Sequence, residues 1–588
     1  MKFYAKLLAN HPLANIAFVV TVVLGILSYS SMPREQDPEI NFNWVNITTV
    51  YPGATSDQIE RLVTNPLEDA IDGVRDVRFV SSNSKENVSS ILVRFYDMSE
   101  REFDKRINDL RREIQNKAAA ELPSVVEEPR ILEITTSNGF PTAQVTIEGQ
   151  ADDEVLRVTS RRVRDDIEAM RGVDQVFAAG LRDPEISVIP DPSALAARGL
   201  TVADVADSLS IWWRDTAAGT LQTDQGAWSI SIKGITTDPT QLMQVPLIKM
   251  GQTLDIRVGD VARVERTRAR ATQLASIEGM AAVSLAVTKK AKVNTLDLVA
   301  DIQAYIAEKS PLWSQQGIKV SLSDDQTVPT RSAINVMETN ALYGAVLVML
   351  VSWVFVGWRV ALLITLGIPF SLLATFAVLN SLGSTVNVSV LLGVVIALGM
   401  LVDDAVVMAE AIYYRVSRGE NAMQAAINSF REIGAPVVAS VATTMAAFLP
   451  LMLLPGIVGK FMFIIPFVVT LALAISLIEA FWMMPVHISA IGLQPSSGHS
   501  NSWHDRLNTR IRMAYGKALA YVLRRPKRFA LIALFSVLGA GGLIASGIVR
   551  VQFFAFDPIR VIYVNVDMPS SASLDDTLRA TQAVEKEV

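Results

Sequence analysis

The feature that most constrains this chain is a set of seven apolar stretches of roughly helix-spanning length. A helix needs about 20 apolar residues to cross a hydrocarbon core of roughly 30 Å. The stretches are Leu13–Met32, Ala341–Val356, Val360–Leu379, Val388–Ala411, Ala435–Leu454, Met462–Met484 and Phe529–Ile548. They predict a polytopic α-helical membrane protein, and the polar residues 331–340 are expected to extend the second helix into water.

Lysine and arginine in the short loops predict how these helices are oriented. Lys2 and Lys6 precede the first stretch, which is too long for a signal-peptide core and has no cleavage site after it. We therefore expect a retained helix whose N-terminus is cytoplasmic. The remaining basic loops then fall on the same side and residues 33–330 lie outside; these loops contain Arg359, then Arg415, Arg418 and Arg431, then residues 506–528.

The segment predicted to lie outside the membrane alternates strands and helices. From Asn43 the order is β-α-β-β-α-β, which is ferredoxin-like. Thr55 with Gln58 and Ser99 with Glu102 have capping-box spacing and mark two helix starts. A second pass begins at AQVTIEG, continues through the strands VFAAG and EISVI, and is completed by later segments after an inserted β-rich stretch.

An internal repeat follows the seventh apolar stretch. Asp37-Pro38 corresponds to Asp557-Pro558, Val45-Asn46-Ile47 to Val564-Asn565-Val566, and Pro52-Gly53-Ala54 to Pro569-Ser570-Ser571. This predicts a duplication, a common plan for secondary transporters. The second copy stops at Val588, inside the helix that corresponds to 56–71, which predicts a truncated chain.

The predicted organisation has six parts. They are the first transmembrane helix (1–32), outer subdomains with an inserted β-rich element (33–333), transmembrane helices two to six (334–487), a cytoplasmic basic amphipathic linker (488–527), transmembrane helix seven (528–549) and the incomplete second outer repeat (550–588).

Two adjacent carboxylates, Asp403 and Asp404, interrupt the fourth apolar stretch. A carboxylate at the centre of a membrane helix costs about 2.5–3.5 kcal/mol, so two of them need a partner or a proton. Such a pair titrates as a unit, which favours a proton relay. The alternative is a solvated position near the cytoplasmic end, because Glu410 and Arg415 follow within a few turns.

Small and polar residues accompany this pair. Gly393, Ala397 and Gly399 precede it and would let a neighbouring helix approach closely. The other polar side chains at depth are interpreted as helix-packing groups: Ser440, Thr443 and Thr444 in the fifth stretch, and Glu479 in the sixth.

Composition excludes several other functions. The net charge is −6 and no basic run is long enough to follow a phosphate backbone, so we expect no nucleic-acid partner. The chain has no cysteine, which excludes thiolate metal sites and thiol catalysis. We expect no metal and no cofactor other than protons as the coupling ion.

Several motifs together resemble one family. GMLVDDAVVMAEA resembles the fourth-helix signature of resistance-nodulation-division (RND) transporters, in which a glycine stands four residues before an Asp-Asp pair. YPGATSDQIERLVTNPLEDAI resembles the family's first porter segment, SFREIGAPVVASVATTMAAFLPL its fifth helix, and GIVGKFMFIIPFVVTLALAISLIEAFWMMP its sixth. The Asp-Asp form resembles the drug-exporting, hydrophobe/amphiphile branch more than the heavy-metal branch.

The resemblance implies a function and partners. It implies a homotrimer in the bacterial inner membrane, with a periplasmic porter domain, that exchanges protons for amphiphilic substrates together with a periplasmic adaptor and an outer-membrane channel. Asp403 and Asp404 would be the proton relay, supported by Gly399, Thr443 and Thr444. The family's lysine partner lies on a second-half helix, beyond this chain. Phe140 and Phe177 would line a Phe-rich drug pocket, or else be packed core aromatics.

Three other functions stay open. An intramembrane aspartyl protease needs two carboxylates that face each other, whereas adjacent helix residues point about 100° apart. A relative that exports lipid or metal or assists translocation, and an inactive fragment, are the other two.

Overall fold

The computed structural model describes residues 2–149, 153–223, 226–249, 252–269, 271, 273–491, 503–549, 564–569 and 572–587. The chain begins with a short helix, α1 (Lys2–Ala9), and the first long apolar helix, α2 (His11–Ser31). The side chain of Asn10 accepts a hydrogen bond from the Leu13 amide and caps the start of α2. Residues 33–40 then lead into the outer region.

The first outer unit has the predicted order of strands and helices. Its elements are β1 (Asn41–Val50), α3 (Ser56–Ile59), a π-helical turn (Glu60–Thr64), α4 (Asn65–Asp72), β2 (Val77–Lys85), β3 (Val88–Phe95), α5 (Glu100–Glu121), β4 (Arg130–Thr135) and α6 (Thr136–Gly139). The antiparallel sheet has the order β2-β3-β1-β4. Both predicted capping boxes are present, at Thr55 and at Ser99. These side chains satisfy amides that a helix start leaves unpaired.

The second outer unit is interrupted by a long insertion. In chain order the elements are β5 (Ala143–Gly149), α7 (Asp153–Glu168), β6 (Val173–Ala179), β7 (Pro184–Pro190), α8 (Pro192–Ala197), α9 (Val202–Trp212), β8 (Thr216–Thr223), β9 (Gly226–Ile232), α10 (Pro239–Met243), β10 (Pro246–Lys249), β11 (Gln252–Arg257), a 3-10 turn (Val258–Asp260), β12 (Ala262–Arg268), β13 (Ala275–Ile277), β14 (Met280–Lys289), α11 (Thr295–Gln315) and β15 (Ile318–Asp325).

Strand pairing separates the insertion from the unit that contains it. β14, β5 and β15 are neighbours in one sheet, and β6 pairs with β14. Across the sheet these strands have the order β6-β14-β5-β15, which matches the order β2-β3-β1-β4 of the first unit. The EISVI strand, which we predicted in this second pass, is β7. It pairs with β12 instead, with Val188 opposite Val264, because β6 occupies the edge of β14.

The membrane region is a bundle of long helices. They are α12 (Thr327–Val356), α13 (Trp358–Ser381), α14 (Val388–Ser417), α15 (Ala422–Met452), α16 (Gly456–Ile478), a π-helical turn (Glu479–Met483) and α17 (Met484–Ala490). After residues 492–502, which are not described, come α18 (Trp503–Arg524), α19 (Pro526–Ala545) and α20 (Leu574–Glu587). α14 packs against α12, α13, α15 and α16.

Within the described residues, seven helical runs are long and apolar enough to cross a membrane, as predicted. The second of them is one continuous helix, so residues 331–340 do extend it as expected. The fourth, predicted to end at Ala411, continues to Ser417. The sixth continues through the π-helical turn to Ala490. The Asp557-Pro558 part of the predicted repeat lies outside the described residues.

A buried polar cluster joins the outer region to the bundle. We call it the interdomain joint, and it consists of Glu35, Ser137, Lys289 and Thr385. Lys289 Nζ lies 2.7 Å from Glu35 Oε2 and 3.2 Å from Ser137 Oγ, and the Thr385 hydroxyl donates to the other oxygen of Glu35. The side chains of Glu35 and Lys289 are only 2% and 8% exposed. The ion pair is therefore shielded from water, and each buried charge is stabilised by the other.

Backbone hydrogen bonds extend this joint to the start of α14. The Glu35 amide donates to the Val386 carbonyl at 3.1 Å, and the Val386 amide donates to the Pro33 carbonyl at 2.9 Å. The Val388 amide donates to the Gln36 carbonyl at 3.0 Å. The segment that leaves α2 is thus bonded directly to the segment that enters α14.

A second carboxylate depends on the same lysine. Burial raises the pKa of Asp37, and the nearby charge of Glu35 raises it further, while Lys289 opposes both effects. Lys289 thus stabilises the negative charge of two acidic residues at the joint.

Replacing Lys289 by methionine is expected to loosen the joint, because it leaves Glu35 buried without a cation. Breaking a buried ion pair in this way typically costs about 3–5 kcal/mol. Hydrogen exchange should therefore become faster at the amides of Glu35, Val386 and Val388. Lys290→Met removes an exposed neighbour and is the matched control. Equal exchange in both variants would show that the ion pair does not hold the joint together.

Candidate functional site

Helix α14 carries both predicted relay residues near its middle. Asn387 begins the helix, since its side-chain oxygen accepts a hydrogen bond from the Val390 amide at 3.0 Å. The same side chain donates to the hydroxyl of Thr385 at 3.1 Å. The cap of α14 is therefore part of the polar network of the interdomain joint.

The two adjacent aspartates have different environments. Asp404 is only 7% exposed, whereas Asp403 lies on the exposed surface of the bundle. This follows from helix geometry, because consecutive residues point about 100° apart. One oxygen of Asp404, Oδ2, is buried and has no hydrogen-bond partner among the described residues. The buried group of the pair is therefore Asp404.

Contacts between α14 and α16 fix the register of these two helices. A Cβ added to Gly393 would lie 3.0 Å from Val468 Cβ and 3.1 Å from the Ile465 carbonyl oxygen. Further along, the Ser476 hydroxyl donates to the Leu401 carbonyl at 2.9 Å, across a separation of 75 residues in the chain. Gly393 and Val468 have the same separation, as expected for parallel helices.

The same register brings Glu479 level with Asp404. Glu479 begins the π-helical turn that follows α16, and it is only 3% exposed. Its carboxylate lies against α13, since a Cβ added to Gly367 would be 2.7 Å from Oε1. Asp404 and Glu479 have the same separation of 75 residues as the two contacts above, so they lie at one level of the α14–α16 interface. The site is therefore a pair of buried acidic side chains from neighbouring helices.

The sequence explains why the helix widens at Glu479. Pro485 has no N–H, so it cannot form the α-helical hydrogen bond to the Phe481 carbonyl. That carbonyl instead accepts a hydrogen bond from the Tyr4 hydroxyl at 2.9 Å. Single π-helical turns of this kind inside α-helices often occur at functional sites.

The charges at this site are all of one sign among the described residues. No described basic side chain makes an ion pair with Asp403, Asp404 or Glu479, and the described part of the chain has no cluster of three metal-ligating side chains. Two buried carboxylates from neighbouring helices are groups that can bind a proton.

The small and polar residues predicted to support the pair occupy different positions. The close helix approach is at Gly393, whereas a Cβ added to Gly399 would meet no described atom within 4 Å. The two glycines are six positions apart, which places them on different faces of α14. Thr443 and Thr444 donate their hydroxyls to Ala439 and Ser440 of their own helix, at 2.7 and 3.1 Å.

The two predicted pocket phenylalanines lie on different units. Phe140 follows α6 and is 67% exposed, and Phe177 lies on β6, opposite Ala286, and is 48% exposed. Neither side chain is buried in a core of the described chain. Phe140 lines a small cavity of about 50 Å³ next to the interdomain joint. No ring contact joins the two phenylalanines among the described residues.

The sequence marks Glu479 as a polar residue inside an apolar helix but does not place it at the site. We interpreted it as a packing group, because periodicity within one helix does not reveal what faces it from another. The available signal was the glutamate itself, since an ionisable residue inside an apolar span is rare and usually functional.

Adding a methyl group to Gly393 is expected to push α14 and α16 apart. Overpacking of this kind typically costs about 1–3 kcal/mol. Gly393→Ala should therefore lower the thermal unfolding midpoint of the detergent-solubilised protein, whereas Gly399→Ala, with open space around it, should leave that midpoint unchanged or raise it slightly. A larger loss at Gly399 would contradict the packing described for this helix pair.

Comparison with known protein families gives a match over nearly the whole chain. Residues 4–588 match the AcrB/AcrD/AcrF family. The match includes the outer region, α14 with its two aspartates, and α16 with the π-helical turn. The chain therefore belongs to the AcrB/AcrD/AcrF family and is an RND-type membrane transporter, not an enzyme.

Proposed function

We propose that this transporter exports amphiphilic or hydrophobic small molecules in exchange for protons. The observation that carries the proposal is the buried carboxylate of Asp404 in the middle of an apolar membrane helix, next to the exposed Asp403. Asp404 Oδ2 has no hydrogen-bond partner among the described residues, so a proton is the simplest group to neutralise it.

Proton binding at this place supplies the energy for transport. Moving one elementary charge through 100 mV releases about 2.3 kcal/mol. A buried carboxylate is more easily accommodated when protonated than when ionised, so gaining or losing a proton changes which packing of α14 is favoured. The proton gradient can therefore bias a conformational equilibrium, as alternating access requires.

The interdomain joint connects this change to the outer region. α14 begins three residues after Thr385, whose hydroxyl donates to Glu35, and Glu35 pairs with Lys289 at the end of β14. A displacement of α14 therefore acts on the sheet of the second outer unit through short, buried contacts. We propose this route as the link between proton movement and substrate movement.

The outer region is proposed to handle the substrate. We infer that its two units are ferredoxin-like subdomains, since both contain four strands in the same spatial order. Phe140 and Phe177 are proposed to meet substrate, and their exposure is what leaves them accessible. A cavity of about 1350 Å³ borders β7, β12 and α9, and it combines apolar side chains such as Trp213 with Arg182 and Arg268. Such a lining suits an amphiphile.

Orientation and assembly complete the proposal. We propose that the N-terminus is cytoplasmic and that the outer region lies in the periplasm of a bacterial inner membrane, which the basic residues of the short loops support. We propose a homotrimer that works with a periplasmic adaptor and an outer-membrane channel. The hairpin β8–β9 supports contact with another chain, because it exposes Leu221, Trp228 and Ile230. The partly described repeat after α19 supports a duplicated plan for the transporter.

Replacing Asp403 or Asp404 by asparagine is expected to abolish proton-coupled export while leaving membrane insertion intact. Asparagine keeps the shape of the side chain but cannot bind and release a proton. The measurement is efflux of a fluorescent amphiphile from liposomes that contain the purified transporter, under an imposed pH gradient. Glu410→Gln changes an exposed carboxylate on the same helix and should pump normally.

The result that would contradict the relay is export at the wild-type rate by either aspartate variant. Substrate choice is tested in the same liposomes. Pumping of lipid or metal ions but not of the amphiphile would assign the chain to a different branch of RND transporters.

A further inference from the structure

We propose that the proton-binding unit of this transporter is a cross-helix carboxyl pair, Asp404 and Glu479, that shares one proton. This inference rests on the proposed proton coupling and deepens it. It makes Glu479 a second proton-binding residue and gives the two adjacent aspartates different roles. Asp404 belongs to the buried pair, and Asp403 faces the outside of the described bundle.

The first reason is that both carboxylates are removed from solvent. Asp404 and Glu479 are 7% and 3% exposed. Two ionised carboxylates side by side in apolar surroundings repel each other and both lose hydration. One proton held between them removes most of that penalty, as it does where two carboxylates share a site in other proteins.

The second reason is that the helix register puts the two groups at one level. The Gly393–Val468 contact and the Ser476–Leu401 hydrogen bond set a constant offset between α14 and α16. These two contacts lie on the same interface as the carboxylates and within about three helical turns of them. Extending that offset by one turn past the Ser476–Leu401 bond pairs Asp404 with Glu479.

The third reason is that the surroundings hold Glu479 in place. Its carboxylate rests against Gly367, where any larger side chain would collide with it. Pro485 interrupts the helical hydrogen bonds one turn later, and the Tyr4 hydroxyl takes up the free carbonyl of Phe481. A packed, fixed position is what a shared proton requires, because the two oxygens must stay within hydrogen-bond reach.

Other ionisable groups lie on the elements that pack against this turn. They are Asp403, Glu410, Tyr413, Tyr414 and Arg415 on α14, His11 and Tyr29 on α2, Arg359 on α13, Lys460 on α16, and His487 on α17. Arg415 pairs with Glu420 and Glu432. Tyr29 bonds to Glu338, and Lys460 bonds to the Asn41 carbonyl. Asp404 is the charged residue that lies level with Glu479 in the register of α14 and α16.

The proton step needs no further reactant. In one conformation the pair takes up a proton from one side of the membrane, giving one carboxylic acid hydrogen-bonded to one carboxylate. In the other conformation the same proton leaves toward the opposite side. Asp403, on the exposed face, is positioned to pass the proton between the pair and its surroundings.

The test combines infrared spectroscopy with transport in the reconstituted protein. The carbonyl stretch of protonated carboxyl groups is recorded during a pH change for wild type, Asp404→Asn and Glu479→Gln. A shared proton predicts that either single substitution removes or shifts the same band. Two separate bands, each lost only with its own substitution, would overturn the pair.

Efflux of a fluorescent amphiphile under a pH gradient is measured on the same samples. Glu479→Gln keeps the size of the side chain and should lose proton-driven efflux, and Glu479→Asp should restore part of it. If both Glu479 variants lose efflux but their infrared bands are unchanged, the residue has only a packing role and the proposal fails.

The outcomes also separate this inference from the proposed function. Loss of efflux in Asp404→Asn with wild-type efflux in Glu479→Gln would leave the relay standing and remove the pair. Wild-type efflux in Asp404→Asn would remove the proposed proton coupling itself. A thermal unfolding midpoint close to that of wild type establishes that a variant is folded. If Glu479→Gln does not fold, Glu479→Asp is used in its place.

Discussion

The high free energy of a charged carboxylate inside an apolar helix bundle is the constraint on which this structure depends. The interface of α14 and α16 is closely packed at Gly393, which lies against Val468, and the Ser476 hydroxyl donates to the Leu401 carbonyl. Where Asp404 and Glu479 enter that interface, the bundle gives them no cation among the described residues. In the proposed function, a proton neutralises them.

The same helix connects the buried carboxylates to the outer region. α14 starts at a cap that belongs to the polar network of Glu35, Lys289 and Thr385. Buried ion pairs are stabilising only while both partners are present, so the network behaves as a unit. A displacement of α14 is therefore transmitted to the sheet of the second outer unit through a few buried contacts rather than through flexible loops.

Local signals in the sequence predicted local structure well. The long apolar helices follow from the length and composition of their stretches, and the helix starts at Thr55 and Ser99 follow from side chains that bond to nearby backbone. Pairing between distant segments was harder to predict. β7 joins β12 because β6 already occupies the edge of the second sheet, a competition between strands that periodicity does not contain. Similarly, the position of Glu479 opposite Asp404 arises from the packing of α14 against α16, and Gly393 rather than Gly399 is where that packing is closest.

Proton movement and substrate movement are proposed to be coupled through this bundle, and coupling acts in both directions. The most direct measurement starts with no pH gradient. Liposomes containing the transporter are given an outward gradient of a fluorescent amphiphile, and the internal pH is followed with a trapped dye. The account predicts that amphiphile efflux draws protons inward and acidifies the interior, beyond any change in protein-free liposomes. Transporter-dependent efflux with a constant internal pH would contradict it.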